Sequence, residues 1–316
     1  MTTVSVCSAK GSPGATTLAC AIGAVWPVEH RIVVAECDPS GGDIAARFNL
    51  SAKRGMASLV LEARRSTDRG LFDLDDHLQS LPGGLEVLAG PTGAAAANTV
   101  DAVLPEVLSR HYLSRRGSNR NNGGKSVLPD LVLDCGRIQP GAVGQSAAIL
   151  ASHHVLVVAR PTVESVASAR WIAEQLHHGA AGLVLMGNGV VDPSQVVEVL
   201  ALPLLAVIPE DRFAAAALRG EPVVSWRLAR SALIGSVRDL VATLLSTRID
   251  PGLSESHQAT DQGSTDTPGR SAQPIRRSIR LAFRATHRRD QKANGESSPE
   301  LERSLPPRLL VGGEDK

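Results

Sequence analysis

Aromatic residues are scarce in this chain: Phe, Trp and Tyr make up 3% of its 316 residues, against 43% hydrophobic residues in all. Any core must therefore be built mainly from Ala, Val, Leu and Ile. No apolar run is as long as the roughly 18 residues needed to span a bilayer. The first residues, MTTVSVCSAKG, lack the basic segment followed by an apolar segment that is typical of a secretory signal. The formal net charge is only +1, so the overall charge favours no nucleic-acid or other charged partner.

Cysteine is also rare. The four cysteines, Cys7, Cys20, Cys37 and Cys135, form no CxxC pair, which argues against a disulfide framework and against a zinc site. We expect buried thiols in a reducing compartment, and hence a cytoplasmic protein.

Short β-rich runs alternate with helical patterns along most of the chain. The runs are almost continuously apolar, which is typical of strands covered on both faces. Strands are predicted at 3–9, 31–36, 85–90, 130–134, 154–159, 182–187 and 204–209, and helices at 15–26, 98–111, 141–151, 162–177, 193–200 and 226–247. This alternation predicts an α/β fold: a doubly wound, mostly parallel sheet of about seven strands with helices on both faces.

The composition changes near residue 249. Residues 1–248 are predicted to form one domain, whereas 249–316 are rich in Ser, Thr, Pro, Gln and charge, the profile of a disordered tail. Within this tail lies a basic segment at 275–289, with arginines from Arg276 to Arg289 and no acid. It could be a solvated stretch, an amphipathic helix on an anionic membrane, a DNA-binding patch or a site for a protein partner.

The stretch AKGSPGATTL, residues 9–18, follows the first predicted strand and leads into the first predicted helix. Gly11 and Gly14 would allow the backbone N–H groups to converge on an anion, and the helix N-terminus would add its partial positive charge. Thr16 would place a hydroxyl on a magnesium ion. A phosphate-binding loop normally has a lysine just before this threonine, but here the residue is Ala15.

Two aspartates follow other predicted strands. Asp38 and Asp134 lie at the carboxyl ends of their strands, the edge at which ligands of open α/β sheets bind. Two carboxylates beside a phosphate loop would repel a nucleotide unless a cation such as magnesium lay between them. Taken singly, Asp38 could be a turn former and Asp134 a helix-capping acid; the spacing of all three segments favours a magnesium–nucleotide site.

The loop resembles the deviant phosphate loop of the ParA/MinD family of P-loop ATPases, a SIMIBI-type group. The family pattern K-G-G-x-G-K-T-[ST] stands here as Lys10-Gly11-Ser12-Pro13-Gly14-Ala15-Thr16-Thr17. In that family the early lysine, matched by Lys10, reaches the phosphates of the partner in a face-to-face dimer. This chain departs from the pattern at Ser12 and at Ala15, so it looks like a degenerate member.

Later segments extend the resemblance over about residues 3–247. AECDPSGGDIA is similar to the family's D-x-D-P-Q-G segment, with Asp38 as the switch aspartate that positions the attacking water and Glu36 at the other acidic position. Asp134 matches the Walker B aspartate, and Asn188 resembles the base-contacting asparagine. LPLLAVIPEDRFAAAALRGEPVV is similar to the family's I-P-x-D…G-x-P segment. The implied nucleotide-binding residues are Lys10, Gly11, Ser12, Gly14, Ala15, Thr16, Thr17, Asn188 and Pro209.

The resemblance implies ATP and Mg²⁺ as cofactors, with Thr16, Asp38 and Asp134 at the metal and Asp38 and Lys10 in catalysis. It also implies a homodimer formed on nucleotide binding, used for partitioning or positioning DNA or a membrane or secretion complex, at the membrane or the nucleoid. Loss of the loop lysine leaves two alternatives open. One is a slow, dimer-dependent ATPase; the other is a non-catalytic scaffold that acts through its basic tail.

Overall fold

A computed structural model describes residues 1–11, 14–65, 73–117, 128–176, 180–221 and 225–247 of the chain. The predicted tail, 249–316, and its basic segment at 275–289 lie outside these residues. No helix among the described residues is long and apolar enough to cross a membrane.

The described residues form one eight-stranded sheet. Its strands are β1 (Thr3–Ser8), β2 (Ile32–Glu36), β3 (Gln79–Ser80), β4 (Glu86–Leu88), β5 (Asp130–Arg137), β6 (His154–Ala159), β7 (Ala181–Met186) and β8 (Leu204–Ile208). The order across the sheet is β3-β4-β2-β5-β1-β6-β7-β8. Every pairing is parallel except that of β3 with β4.

Helices cover both faces of this sheet. They are α1 (Ala15–Val25), α2 (Ile44–Arg47), α3 (Met56–Arg65), α4 (Ala94–Gly117), α5 (Val143–Leu150), α6 (Val163–Gln175), α7 (Pro193–Leu200), α8 (Arg212–Ala217), α9 (Ser225–Ala229) and α10 (Ala232–Ser246), with a 3₁₀ helix at Leu74–His77. The doubly wound α/β fold predicted from the sequence is confirmed.

Successive strand residues pack into two separate cores. In β1, Val4 and Val6 contact the cluster that includes α1 and α10, whereas Cys7 contacts the cluster on the opposite face. In β2, Val34 joins the first cluster and Val33 the second. Because both faces of the central strands are buried, these strands are mostly apolar, which is the pattern seen in the sequence, whereas the edge strands β3 and β8 are partly exposed. The four cysteines are free and buried, as expected.

The structure differs from the sequence-based prediction mainly in short elements. The seven predicted strands are present. The additional strand β3 forms an antiparallel edge, and its two residues are too few to show a hydrophobic pattern in the sequence. Helices α2, α3 and α8 were not predicted, and α4 is longer than the predicted 98–111. The predicted helix at 226–247 is two helices, because the Ser231 hydroxyl accepts a hydrogen bond from Ile234 N–H and caps a new start.

Close contact between α4 and α5 yields a test of this packing. An ideal Cβ on Gly144 in α5 would lie 2.3 Å from the Asp101 carbonyl oxygen of α4. Gly144→Ala is therefore expected to lower the free energy of unfolding by about 1–3 kcal/mol, measured by urea denaturation.

Gly235 in α10 provides the matched control. An added Cβ there meets nothing within 4 Å, and alanine favours a helix interior over glycine by roughly 0.5–1 kcal/mol. Gly235→Ala should therefore raise stability slightly. Equal effects of the two substitutions would contradict the close α4–α5 approach.

Candidate functional site

A cleft of about 750 Å³ opens at the carboxyl edge of the parallel strands. It lies where β1, β5, β6 and β7 end, as expected for a ligand site in an open α/β sheet. Seven of the predicted site residues line it: Gly11, Gly14, Ala15, Thr16, Thr17, Asp38 and Pro209. Ser12 lies outside the described residues.

The N-terminus of α1 faces this cleft. Gly14 precedes the helix with φ of 105°, a left-handed conformation that favours glycine, and a Cβ there would lie 3.2 Å from the Met186 side chain. No side chain caps the helix, and its first turn carries no acid. The first backbone N–H groups of α1 are therefore available to an anion.

Ala15 is the first residue of α1 and is 6% exposed. It borders the cleft, yet its methyl group also packs in the apolar cluster beneath α1. The helix N-terminus thus keeps its backbone donors without the charged side chain that a phosphate loop normally adds at this position.

Asp134 lies directly beneath the cleft on β5. It is buried, the Thr16 hydroxyl hydrogen-bonds its carboxylate, and Gly136 N–H donates to its Oδ1 at 3.1 Å. The pKa of Asp134 is raised to about 7, mainly by burial and also by the nearby charges of Glu36 and Asp38, while the hydrogen bonds from Thr16 and Gly136 oppose the shift. A neighbouring cation would favour the ionised form of this carboxyl.

Asp38 follows β2 and is held by two backbone donors. Ser40 N–H donates to Oδ1 at 2.7 Å and Arg137 N–H donates to Oδ2 at 3.4 Å. A Cβ on Gly136, which has φ of 56°, would lie 1.8 Å from Asp38 Oδ2. The segment after β2 therefore touches the segment after β5, so Asp38 and Asp134 meet at the same side of the cleft.

Glu36, the second acidic residue of this motif, is buried and stabilises the local backbone. It is 3% exposed; its Oε1 accepts N–H bonds from Asp43 at 2.8 Å and Ile44 at 2.9 Å, and its Oε2 accepts one from Gly90 at 2.8 Å. Burial raises the pKa of Glu36, and the three N–H donors oppose that shift. Its carboxylate fixes the backbone around Asp38 and does not line the cleft.

Besides the buried Asp134, two other predicted site residues in the described part of the chain, Lys10 and Asn188, do not line the cleft. Lys10 is exposed and lies near Glu164 at the start of α6. The pKa of Glu164 is lowered mainly by hydrogen bonds from its own backbone and from Thr162, and to a smaller extent by the charge of Lys10. Asn188 is also exposed, and the preceding Gly187 lines the cleft in its place. Lys10 therefore lies at the rim, on the outer surface of the chain.

The sequence reading missed the basic side chains of the cleft. Five arginines line it: Arg47, Arg137, Arg160, Arg212 and Arg219. Arg137 and Arg160 could have been found, because each stands at the carboxyl end of a parallel strand. Arg47 and Arg212 could not, since the short helices that carry them give no periodic signal, and Arg219 lies in the turn after α8.

The donor set fits a magnesium–nucleotide ligand. Arg47 Nη2 bonds Asp43 at 2.9 Å, whereas its buried Nη1 has no partner among the described residues. Within the same part of the chain, no group of three or more His, Cys, Asp or Glu side chains could hold a metal ion. Magnesium in phosphate sites uses one or two carboxylates plus water and phosphate oxygens, so Thr16, Asp38 and Asp134 suffice only with phosphate present.

The buried carboxyl gives a pH prediction. The ordinary pKa of Asp134 is 3.8, and burial raises it to about 7 in the folded protein. Between these values the folded state holds a proton that the unfolded chain has lost, so the stability from this group falls as pH rises. Asparagine does not titrate. Without magnesium or nucleotide, the unfolding free energy of Asp134→Asn relative to wild type should therefore increase from about pH 4 to about pH 7.

Urea denaturation at a series of pH values measures this difference. Asp239→Asn, at an exposed position of α10, serves as the matched control. A difference between Asp134→Asn and wild type that stays flat over this range would contradict the buried position of Asp134.

Comparisons with known proteins show the fold. No protein-family model matches the chain, and no curated protein sequence matches it. Among solved structures, MinD from Pyrococcus horikoshii with Mg-ADP is similar with a TM-score of 0.59 and 18% identity, covering 78% of this chain and 97% of that one. A ParA family ATPase from Chlorobium tepidum gives 0.58 and 14%, covering 76% and 97%.

A plasmid partition protein from Borrelia burgdorferi bound to AMPPNP gives a TM-score of 0.53 at 14% identity, covering 78% of this chain and 98% of that chain. These identities are low, so the likeness concerns architecture. The resemblance first seen in the loop at residues 9–18 thus extends to the whole sheet, and the chain has the fold of the MinD and ParA ATPases.

Proposed function

We propose that this protein binds a magnesium–nucleotide complex, with ATP as the nucleotide, in the cleft at the N-terminus of α1. One observation carries the proposal: the Thr16 hydroxyl is hydrogen-bonded to the buried Asp134 at the open end of a helix preceded by a left-handed glycine. This arrangement places anion-binding N–H groups beside a carboxylate that needs a cation.

Each part of the cleft has a role in this proposal. Backbone N–H groups of Gly11 and of residues 14–17 would contact the phosphates, and Thr16, Asp38 and Asp134 would hold the magnesium ion, which would neutralise phosphate charge. Pro209 and Gly187 border the opposite end, where the base would lie. Solved structures with the same fold contain Mg-ADP in MinD and AMPPNP in a partition protein, which supports a nucleotide here.

Nucleotide binding is proposed to drive homodimer formation. Lys10 is exposed at the rim of the cleft, so its ammonium group can reach a second chain that docks face to face on this edge. The dimer would position or partition a cargo, either DNA or a membrane or secretion complex. The protein would then be cytoplasmic, and peripheral at the membrane or the nucleoid when loaded.

Hydrolysis is expected to be weak. Removing one donor that stabilises transition-state charge typically lowers the rate by about 10²–10³, and Ala15 provides no such donor. Asp38 remains at the cleft beside Thr16 and Asp134, where it would orient a water molecule. Nucleotide binding should therefore be easier to detect than turnover.

A second candidate function is a non-catalytic scaffold. The packing of Ala15 in the apolar core favours the scaffold function, because the side chain at this position contributes to folding and not to phosphate binding. In this version residues 1–248 form the folded domain, and the arginine-rich segment from Arg276 to Arg289 in the tail at 249–316 contacts anionic membrane or DNA. The tail would act without nucleotide.

Nucleotide titration with size analysis tests the first proposal. Wild type should bind ATP only with magnesium and should shift from monomer to dimer on binding. Thr16→Ala should weaken magnesium-dependent binding, because it removes the hydroxyl next to Asp134. Lys10→Ala should still bind nucleotide but remain monomeric, while Lys53→Ala, at another exposed lysine, should behave as wild type.

No binding of ATP at millimolar concentration, with or without magnesium, would reject this function and favour the scaffold. A chain shortened after residue 248 then separates the two further. Loss of binding to anionic vesicles or DNA in the shortened chain, with no effect of nucleotide on the full chain, is the result expected of the scaffold.

A further inference from the structure

We propose that Arg137 and Arg160 supply, from within one chain, the positive charge that Ala15 does not. The ligand class is the polyphosphate group of a nucleoside di- or triphosphate. The inference rests on the proposed function, since it assigns the phosphate-neutralising residues of that same site.

The sheet order places these two arginines on either side of the phosphate loop. β5 and β6 are the neighbours of β1, and the loop at 9–14 follows β1. Arg137 pairs directly with Ser8, the last residue of β1, and Arg160 comes immediately after β6. The loop therefore emerges between the two arginine positions.

Both guanidinium groups are available to a ligand. Arg137 and Arg160 are exposed and both line the cleft, and neither forms an ion pair within the described part of the chain. Two other arginines of the cleft have carboxylate partners: Arg47 bonds Asp43 and Arg219 bonds Glu221. The unpaired charge in this region thus lies beside the loop, except for Arg212 on α8.

The backbone around Arg160 leaves room for its side chain. Its Nη1 lies 3.7 Å from the position that a Cβ of Gly187 would occupy, and Gly187 has φ of 77°. The guanidinium therefore extends from the end of β6 over the end of β7, along the wall of the cleft. A Cβ on residue 187 would be in ordinary van der Waals contact with this nitrogen.

Arg137 lies at the metal end of the cleft. It follows Asp134 by three residues, and its own N–H donates to Asp38. The main chain of Arg137 is thus fixed beside Asp38, one of the residues that would hold magnesium, and its side chain, which lines the cleft, would contact the terminal phosphate of a nucleoside triphosphate. Arg160, on the β7 side, is placed to contact phosphates that a diphosphate also has.

Arginine is suited to replace a lysine from a new position. Its planar guanidinium presents several N–H donors and binds phosphate oxygens in pairs, and it stays charged at every physiological pH. Two such groups on opposite sides of the loop can neutralise a polyphosphate without a second chain. Nucleotide binding then precedes dimerisation, and Lys10 acts only at the interface.

Calorimetric titration of the full chain with Mg-ATP and Mg-ADP, at protein concentrations at which the apo chain is monomeric, tests this assignment. Loss of a charge-assisted hydrogen bond typically lowers affinity by about tenfold or more. Arg137→Ala should lower the affinity for Mg-ATP by about that factor, and the affinity for Mg-ADP clearly less. Arg160→Ala should weaken both nucleotides alike.

Arg170→Ala is the matched control, since Arg170 is an exposed arginine on α6 that pairs with Glu174 outside the cleft. It should bind as wild type. Ala15→Lys introduced into the double variant Arg137→Ala/Arg160→Ala should restore much of the lost affinity, because it returns the charge to its usual place. Thermal unfolding of each variant identifies any that is misfolded.

Two outcomes would reject the assignment of the arginines without rejecting the proposed nucleotide binding. If wild type binds Mg-ATP and both arginine variants bind equally well, the arginines are not the source of charge and the inference is wrong, although nucleotide binding stands. Loss of binding in Lys10→Ala, with the arginine variants unaffected, would also overturn it in favour of charge from a second chain. If wild type binds no nucleotide, both proposals fail.

Discussion

The buried carboxylate of Glu36 fixes the geometry on which the site depends. Three backbone N–H groups, from Asp43, Ile44 and Gly90, converge on its two oxygens, and a Cβ on Gly42 would lie 2.4 Å from Oε2. The loop after β2 must therefore fold back over the end of its own strand. That path brings Asp38 against Gly136, so the segments after β2 and β5 are positioned together.

This constraint concentrates negative charge at one edge of the sheet. Glu36, Asp38 and Asp134 lie close enough for their charges to raise the pKa of Asp134 together with burial. The N–H donors around Glu36 compensate its charge locally, and Asp38 has backbone donors of its own. Asp134 is the most deeply buried of the three and, within the described residues, has only two donors, Gly136 N–H and the Thr16 hydroxyl. The cation that would balance it belongs on that side of α1, where phosphate oxygens could share it.

Much of this arrangement could be predicted from the sequence, because parallel strands place the residues after them at a common edge. The loop at 9–18, Asp38 and Asp134 follow such strands, and the structure brings them to one cleft. The positions of Lys10 and Asn188 relative to the cleft could not be predicted: both belong to loops, where side-chain direction depends on tertiary contacts. The motif placed Glu36 at its second acidic position but gave no direction for the side chain, because the face of a strand residue depends on register.

The role proposed for Arg137 and Arg160 would explain how a phosphate-binding motif can lose its lysine and keep its function. A phosphate loop requires backbone donors in a fixed curve, which only a few sequences allow, and it also requires nearby positive charge. The second requirement is less strict, since a long side chain can reach the same point from several strand ends. The loop that leads to Ala15 follows β1, which lies between β5 and β6, and Arg137 and Arg160 stand at the carboxyl ends of those two strands and line the cleft. Because the curve of the loop depends on Gly14 and on the start of α1, it can persist while the source of charge moves to neighbouring strands.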